Sequence, residues 1–63
     1  MTRDEWGRAA KAAKALRGET YDDIAEAVYY SKPYVINIIN GFAHSKRAEA
    51  VLSDYLRIEP PTE

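Results

Sequence analysis

The chain has 63 residues, 46% of them hydrophobic and 30% charged, with a net charge of −1 and no cysteine. A chain this short buries only about 60% of its unfolded surface, so it supports one core and not two, and its apolar content is that of a folded domain rather than a disordered one. The composition excludes disulfides and thiolate metal sites, and no apolar run reaches the about 20 residues of a membrane span or forms a signal-peptide core, so a soluble cytoplasmic protein is expected.

The first helix is expected to begin at Thr2, whose hydroxyl can cap a free backbone amide while Glu5 reaches back to complete a capping box. Trp6, Ala9, Ala10, Ala13 and Leu16 then fall on one face at helical spacing, with Arg8, Lys11 and Lys14 turned away as a solvated face. Gly18 supplies the stop. Thr20 caps a second, short helix whose first turn carries Asp22 and Asp23, where the macrodipole favours negative charge. Its buried positions are read as Ile24, Ala25 and Val28, and it ends near Tyr29. Ser31 caps a third helix with Pro33 in its first turn, running to Asn40, with Val35, Ile38 and Ile39 facing inward and Gly41 leaving in a left-handed conformation. Residues 42–44 form a linker. Ser45 caps a fourth helix in which Ala48, Val51, Leu52, Tyr55 and Leu56 recur at amphipathic spacing. The reading is an all-α domain of four helices over residues 1–58, followed by an extended, flexible tail over residues 59–63 that contains Pro60 and Pro61.

The near-neutral net charge hides an uneven distribution. Asp4, Glu5, Glu19, Asp22, Asp23 and Glu26 precede Ala27, and Glu49, Asp54, Glu59 and Glu63 follow Ala48. Between Ala27 and Ala48 there is no acid, while Lys32, Lys46 and Arg47 are present and His44 can add a charge at lower pH. That stretch spans the most informative spacing in the chain. Two short helices are separated by only Tyr29, Tyr30 and Ser31, with a small residue, Ala25, where the second must cross closely, and with apolar residues at Ile24, Val28, Tyr30, Val35 and Ile38. Those are the requirements of a helix-turn-helix.

The segment Tyr21–Gly41 resembles the phage repressor and Cro family of helix-turn-helix proteins (XRE-like), and with the flanking helices the resemblance covers about 55 residues. It implies a lambda-repressor-like fold and a DNA-binding transcriptional regulator that acts as a homodimer on double-stranded DNA, with Ser31–Asn40 as the recognition helix. It places Lys32, Pro33 and Asn37 towards base edges, and Ser31, Asn40 and the segment after Gly41, with His44, Lys46 and Arg47, near phosphates. The chemistry agrees for several of these. Asparagine can bond adenine in a bidentate manner, lysine can donate to guanine, and Pro33 or an exposed Ile36 can meet a thymine methyl. Tyr34 is likewise expected to be exposed, and the Tyr21 hydroxyl can donate to a phosphate.

Two positions depart from the family pattern. Tyr29 stands where a glycine is usual, and a bulky residue at positive φ is uncommon, so a reshaped turn is expected. Tyr21 stands where a glutamine is usual. The alternative reading is a helix-turn-helix used for protein association, since Tyr21, Tyr29, Tyr30 and Tyr34 could mark an interface, and the Thr-capped run Asp23 to Ala27 is similar to the opening of the amino-terminal assembly domain of cyanase. An enzyme is not expected. The chain has no His–nucleophile pair, no phosphate-cradling glycine loop and no ligand cluster, and the acids Asp22, Asp23 and Glu26 read as dipole partners, so neither metal nor cofactor is anticipated.

Overall fold

A computed structural model describes residues 1–62, and Glu63 lies outside the described residues. Helix α1 (Arg3–Arg17) starts where Thr2 Oγ1 accepts from the Glu5 amide at 3.2 Å and Glu5 Oε1 accepts from the Thr2 amide at 2.8 Å. Gly18 ends it in the left-handed region at φ 67°. Helix α2 (Tyr21–Val28) opens on the same reciprocal device: Thr20 Oγ1 accepts from the Asp23 amide, and Asp23 Oδ2 accepts from the Thr20 amide at 2.9 Å. Asp23 is therefore a capping residue and not only a partner for the dipole. Helix α3 (Lys32–Ile39) is capped by Ser31, with Asn40 as its C-cap, and helix α4 (Lys46–Leu56) by Ser45. The domain is all-α with four helices, as the sequence indicates.

All four helices contribute to one core: Trp6 and Ala10 from α1, Ile24 and Ala25 from α2, Val35, Ile38 and Ile39 from α3, and Ala48, Leu52 and Leu56 from α4. Trp6 is completely buried, and its indole nitrogen donates to Ser53 Oγ at 2.7 Å, which in turn donates to the Glu49 carbonyl at 2.6 Å. The one polar atom of the largest core side chain is thus satisfied. Gly7 sets how closely α1 and α3 approach, because a Cβ built there would lie 2.6 Å from the Ile39 carbonyl oxygen.

Four expectations are corrected. Leu16 is not a core residue: it is 90% exposed, because at this end of α1 the side turned to the other helices carries Lys14, over the Tyr21 ring, and Arg17, over the Tyr55 ring. Val28 is half-buried rather than buried, at the end of its helix. Tyr29 does not reshape the turn. It adopts the left-handed conformation itself, at φ 62° and ψ 33°, and the Tyr30 amide closes the end of α2 on the Ala25 carbonyl at 3.1 Å. Tyr34 and Ile36 are half-buried rather than exposed, Tyr34 packing edge-on against Tyr30 with ring centroids 5.2 Å apart. In the tail, the Thr62 amide donates to the Met1 carbonyl at 2.9 Å and the Met1 ammonium donates to Thr62 Oγ1, which joins the two ends of the chain.

Candidate nucleic-acid interface

A three-residue connection from Tyr29 to Ser31 makes α3 cross α2, and the packing of Val35, Ile38 and Ile39 into the core fixes which side of α3 faces outward. The residues left on the outer side are Lys32, Pro33 and Asn37, all exposed, with Ile36 half-buried beside them. These are the residues that sequence reasoning assigned to base edges. Asn37 is anchored through its backbone, since its carbonyl accepts from the Phe42 amide at 2.9 Å and the Ala43 amide at 3.2 Å. Its side-chain amide makes no hydrogen bond to any described residue.

Lys32 is not free. Its ammonium lies 3.4 Å from Asp22 Oδ2, across the turn on the first residues of α2. Ser31 Oγ accepts from the Tyr34 amide at 3.3 Å, which uses one of its two lone pairs and leaves its proton available to an acceptor.

Asn40 and Tyr21, both assigned to phosphates, come together: Asn40 Nδ2 donates to the Ile36 carbonyl at 2.9 Å and reaches the Tyr21 hydroxyl at 3.5 Å. Lys14 completes this cluster from α1, its ammonium 4.7 Å from the centroid of the Tyr21 ring. Sequence periodicity marked Lys14 only as part of a solvated face, and the 7-residue separation from Tyr21 crosses a helix break that no local pattern reads.

His44, Lys46 and Arg47 do not join that cluster. All three are exposed, but His44 Nδ1 lies 3.8 Å from Oε2 of Glu49, which is only 2% exposed and is bound by Arg3 Nε at 3.0 Å. The first acid after the acid-free stretch is therefore turned inward and matched by Arg3, so it does not oppose an anion at the surface. The other oxygen of Glu49 is buried without a hydrogen-bond partner among the described residues. A cleft of about 280 Å³ runs beside the contact of α1 with the end of α3, and it brings Arg8 and Lys11 to the same rim as Asn40, Gly41 and His44. Sequence reasoning missed Arg8 and Lys11 as candidates because the crossing at Gly7, not their spacing, puts them there. Lys46 instead borders Pro60, Pro61 and Thr62.

On the far end of the molecule, Arg17 stacks over the Tyr55 ring and bonds Glu19, which also accepts from the Tyr55 hydroxyl. The Tyr55 hydroxyl, and then Arg17, hold the Glu19 carboxyl below its ordinary range, while Glu19 pushes the Tyr55 phenol up. This cluster ties α1 and the Gly18 turn to α4. Among the described residues no group of three or more His, Cys, Asp or Glu side chains is arranged to hold a metal ion, and no helix is long and apolar enough to cross a membrane. No protein-family model matches the chain, and no curated protein or solved structure matches it.

Proposed function

We propose that the protein is a sequence-specific DNA-binding regulator of the small repressor or Cro kind, which inserts α3 into the major groove and acts as a dimer. The observation that carries this reading is Asn37. It lies in the last turn of α3, still a helical position where asparagine is a poor choice, its side chain is exposed, and its amide bonds no described residue. On the outer face of the second helix of a helix-turn-helix, such an amide can donate to N7 and accept from N6 of adenine. Lys32 and Pro33 precede it by one turn, and the Tyr21, Asn40 and Lys14 cluster flanks the same helix with a hydroxyl and a cation suited to phosphate.

The electrostatics favour a local attraction and not a general one. With a net charge of −1 the whole chain does not attract DNA, but Arg8, Lys11, Lys46 and Arg47 are exposed, and of the two acids that line the cleft beside Arg8 and Lys11, Asp4 is exposed while Glu49 is buried and paired with Arg3. Two copies would read half-sites about 34 Å apart. Phe42, 80% exposed just beyond α3, is the candidate dimer contact.

A second reading, a protein-association module, draws on Leu16, Tyr29 and Phe42, which are 90%, 93% and 80% exposed. Selection of bound duplexes from a random DNA library separates the two. Enrichment of an inverted repeat supports the regulator, and recovery of no preferred sequence with no salt-dependent duplex affinity favours association.

A further inference from the structure

We infer that Asp22 is a positioning residue for specificity: by pairing Lys32 in the absence of a matched site, it suppresses binding to arbitrary DNA and reserves that lysine for base edges. The inference rests on the DNA-binding reading above and concerns the same face.

The two neighbouring acids of α2 have different work. Asp23 is committed to the capping box with Thr20, which holds its carboxyl below the ordinary range. Asp22 takes no part in that cap. Its carboxylate instead reaches across the turn to the Lys32 ammonium, 3.4 Å away.

Lys32 needs such a partner. It is the first residue of α3, where the helix dipole presents its positive end, and the first turn of α3 contains no acid of its own. Asp22 supplies the counter-charge from the neighbouring helix. Both side chains remain in contact with solvent, at 50% exposure for lysine and 71% for aspartate, so the pair is weak and exchanges readily for better acceptors.

The consequence is selective. Against a duplex of arbitrary sequence, where attraction is purely electrostatic, the Asp22 charge offsets that of Lys32 and is itself repelled by the backbone, so the two together add little net attraction even when the pair opens. At a matched site the guanine O6 and N7 acceptors take the ammonium on the groove floor. Asp22 thus lowers affinity for wrong sequences more than for the right one, which is how discrimination by an unfavourable element works.

The test uses the full chain, with the parent, Asp22→Asn, Lys32→Ala and the double variant each titrated against the selected duplex and a scrambled one over a series of salt concentrations. The asparagine variant keeps the shape of the side chain and leaves the cap untouched, and its melting curve checks that it is folded. Asp22→Asn should tighten scrambled-duplex binding by about tenfold at low salt and steepen its salt dependence by about one phosphate contact. The selected duplex should gain less, so the ratio of the two affinities falls. In the Lys32→Ala background the same change should leave that ratio where it is, because Asp22 acts through the lysine. Equal tightening on both duplexes, with or without Lys32, would reduce Asp22 to one negative charge among others and overturn the inference while leaving the DNA-binding reading intact. A parent that binds neither duplex would overturn both.

Discussion

Gly7→Ala sets two effects of known sign against each other. Alanine is the better helix former, and in an open helix the exchange is worth about 1 kcal/mol in its favour. At Gly7 the new methyl would stand 2.6 Å from the Ile39 carbonyl oxygen, a backbone atom at the end of α3 that cannot rotate away. An ordinary contact requires α1 to withdraw from α3 by several tenths of an ångström, which also loosens Trp6 and Ala10, the buried residues on either side of the contact. Overpacking of this kind costs about 1–3 kcal/mol, so after the propensity gain the net effect is a loss of about 0–2 kcal/mol. Urea unfolding measures it, with Ala12→Gly as the control: Ala12 is exposed on the same helix and should lose about 1 kcal/mol from propensity alone. If the alanine at position 7 instead raises stability by the full propensity gain, α1 and α3 are not in backbone contact and the account of the core is wrong.

Trp6→Ala removes the completely buried indole and leaves Ser53 without its donor, at a cost of about 3–5 kcal/mol. At roughly 0.05–0.15 kcal/mol per residue the whole domain has about 3–9 kcal/mol, so a large fall in melting temperature or loss of the cooperative transition is expected, and an unchanged transition would contradict the packing. Tyr29→Gly should stabilise by about 0.5–1 kcal/mol, since it relieves a left-handed tyrosine whose ring is 93% exposed, and a lower melting temperature would mean that the ring is held. The dependence on pH follows from the capping carboxylates. Glu5 and Asp23, held low chiefly by the Thr2 and Thr20 amides, and Glu19, held low by Tyr55, favour folding when charged, so their contribution is full above about pH 4 and is lost as the pH falls through their folded values. Tyr55, pushed up by Glu19, contributes below about pH 10 and loses that contribution as the pH rises through its folded value. Melting temperature against pH should therefore show a plateau between the two, and Glu19→Gln should remove the alkaline limb.

Helix boundaries were legible because each helix is announced locally: Thr2, Thr20, Ser31 and Ser45 all cap, and Gly18 and Gly41 both take positive φ. The outward face of α3 was legible for the same reason, since Val35, Ile38 and Ile39 fix its inward side by periodicity. Features set by distant packing were not. Leu16 continues the apolar stripe of α1, and only the packing of Lys14 on Tyr21 and Arg17 on Tyr55 shows that this end of the helix is covered on another side. Arg3 and Glu49 pair across 46 residues, and Lys32 and Asp22 across 10, at separations that carry no signal in one sequence. The half-burial of Tyr34 depends on the Tyr30 ring, placed by a turn whose left-handed residue is a tyrosine rather than the glycine that sequence patterns favour.

The central claim is that α3 reads bases through Asn37, and one comparison tests it most directly. Asn37→Ala, shown to be folded, is titrated against the selected duplex and against a scrambled one at the same salt concentration. Removal of a bidentate contact should weaken the selected complex by about 1–3 kcal/mol while leaving the scrambled complex unchanged, because the exposed Asn37 amide bonds no described residue and carries no charge. If the alanine variant binds both duplexes as the parent does, α3 is not the reading element.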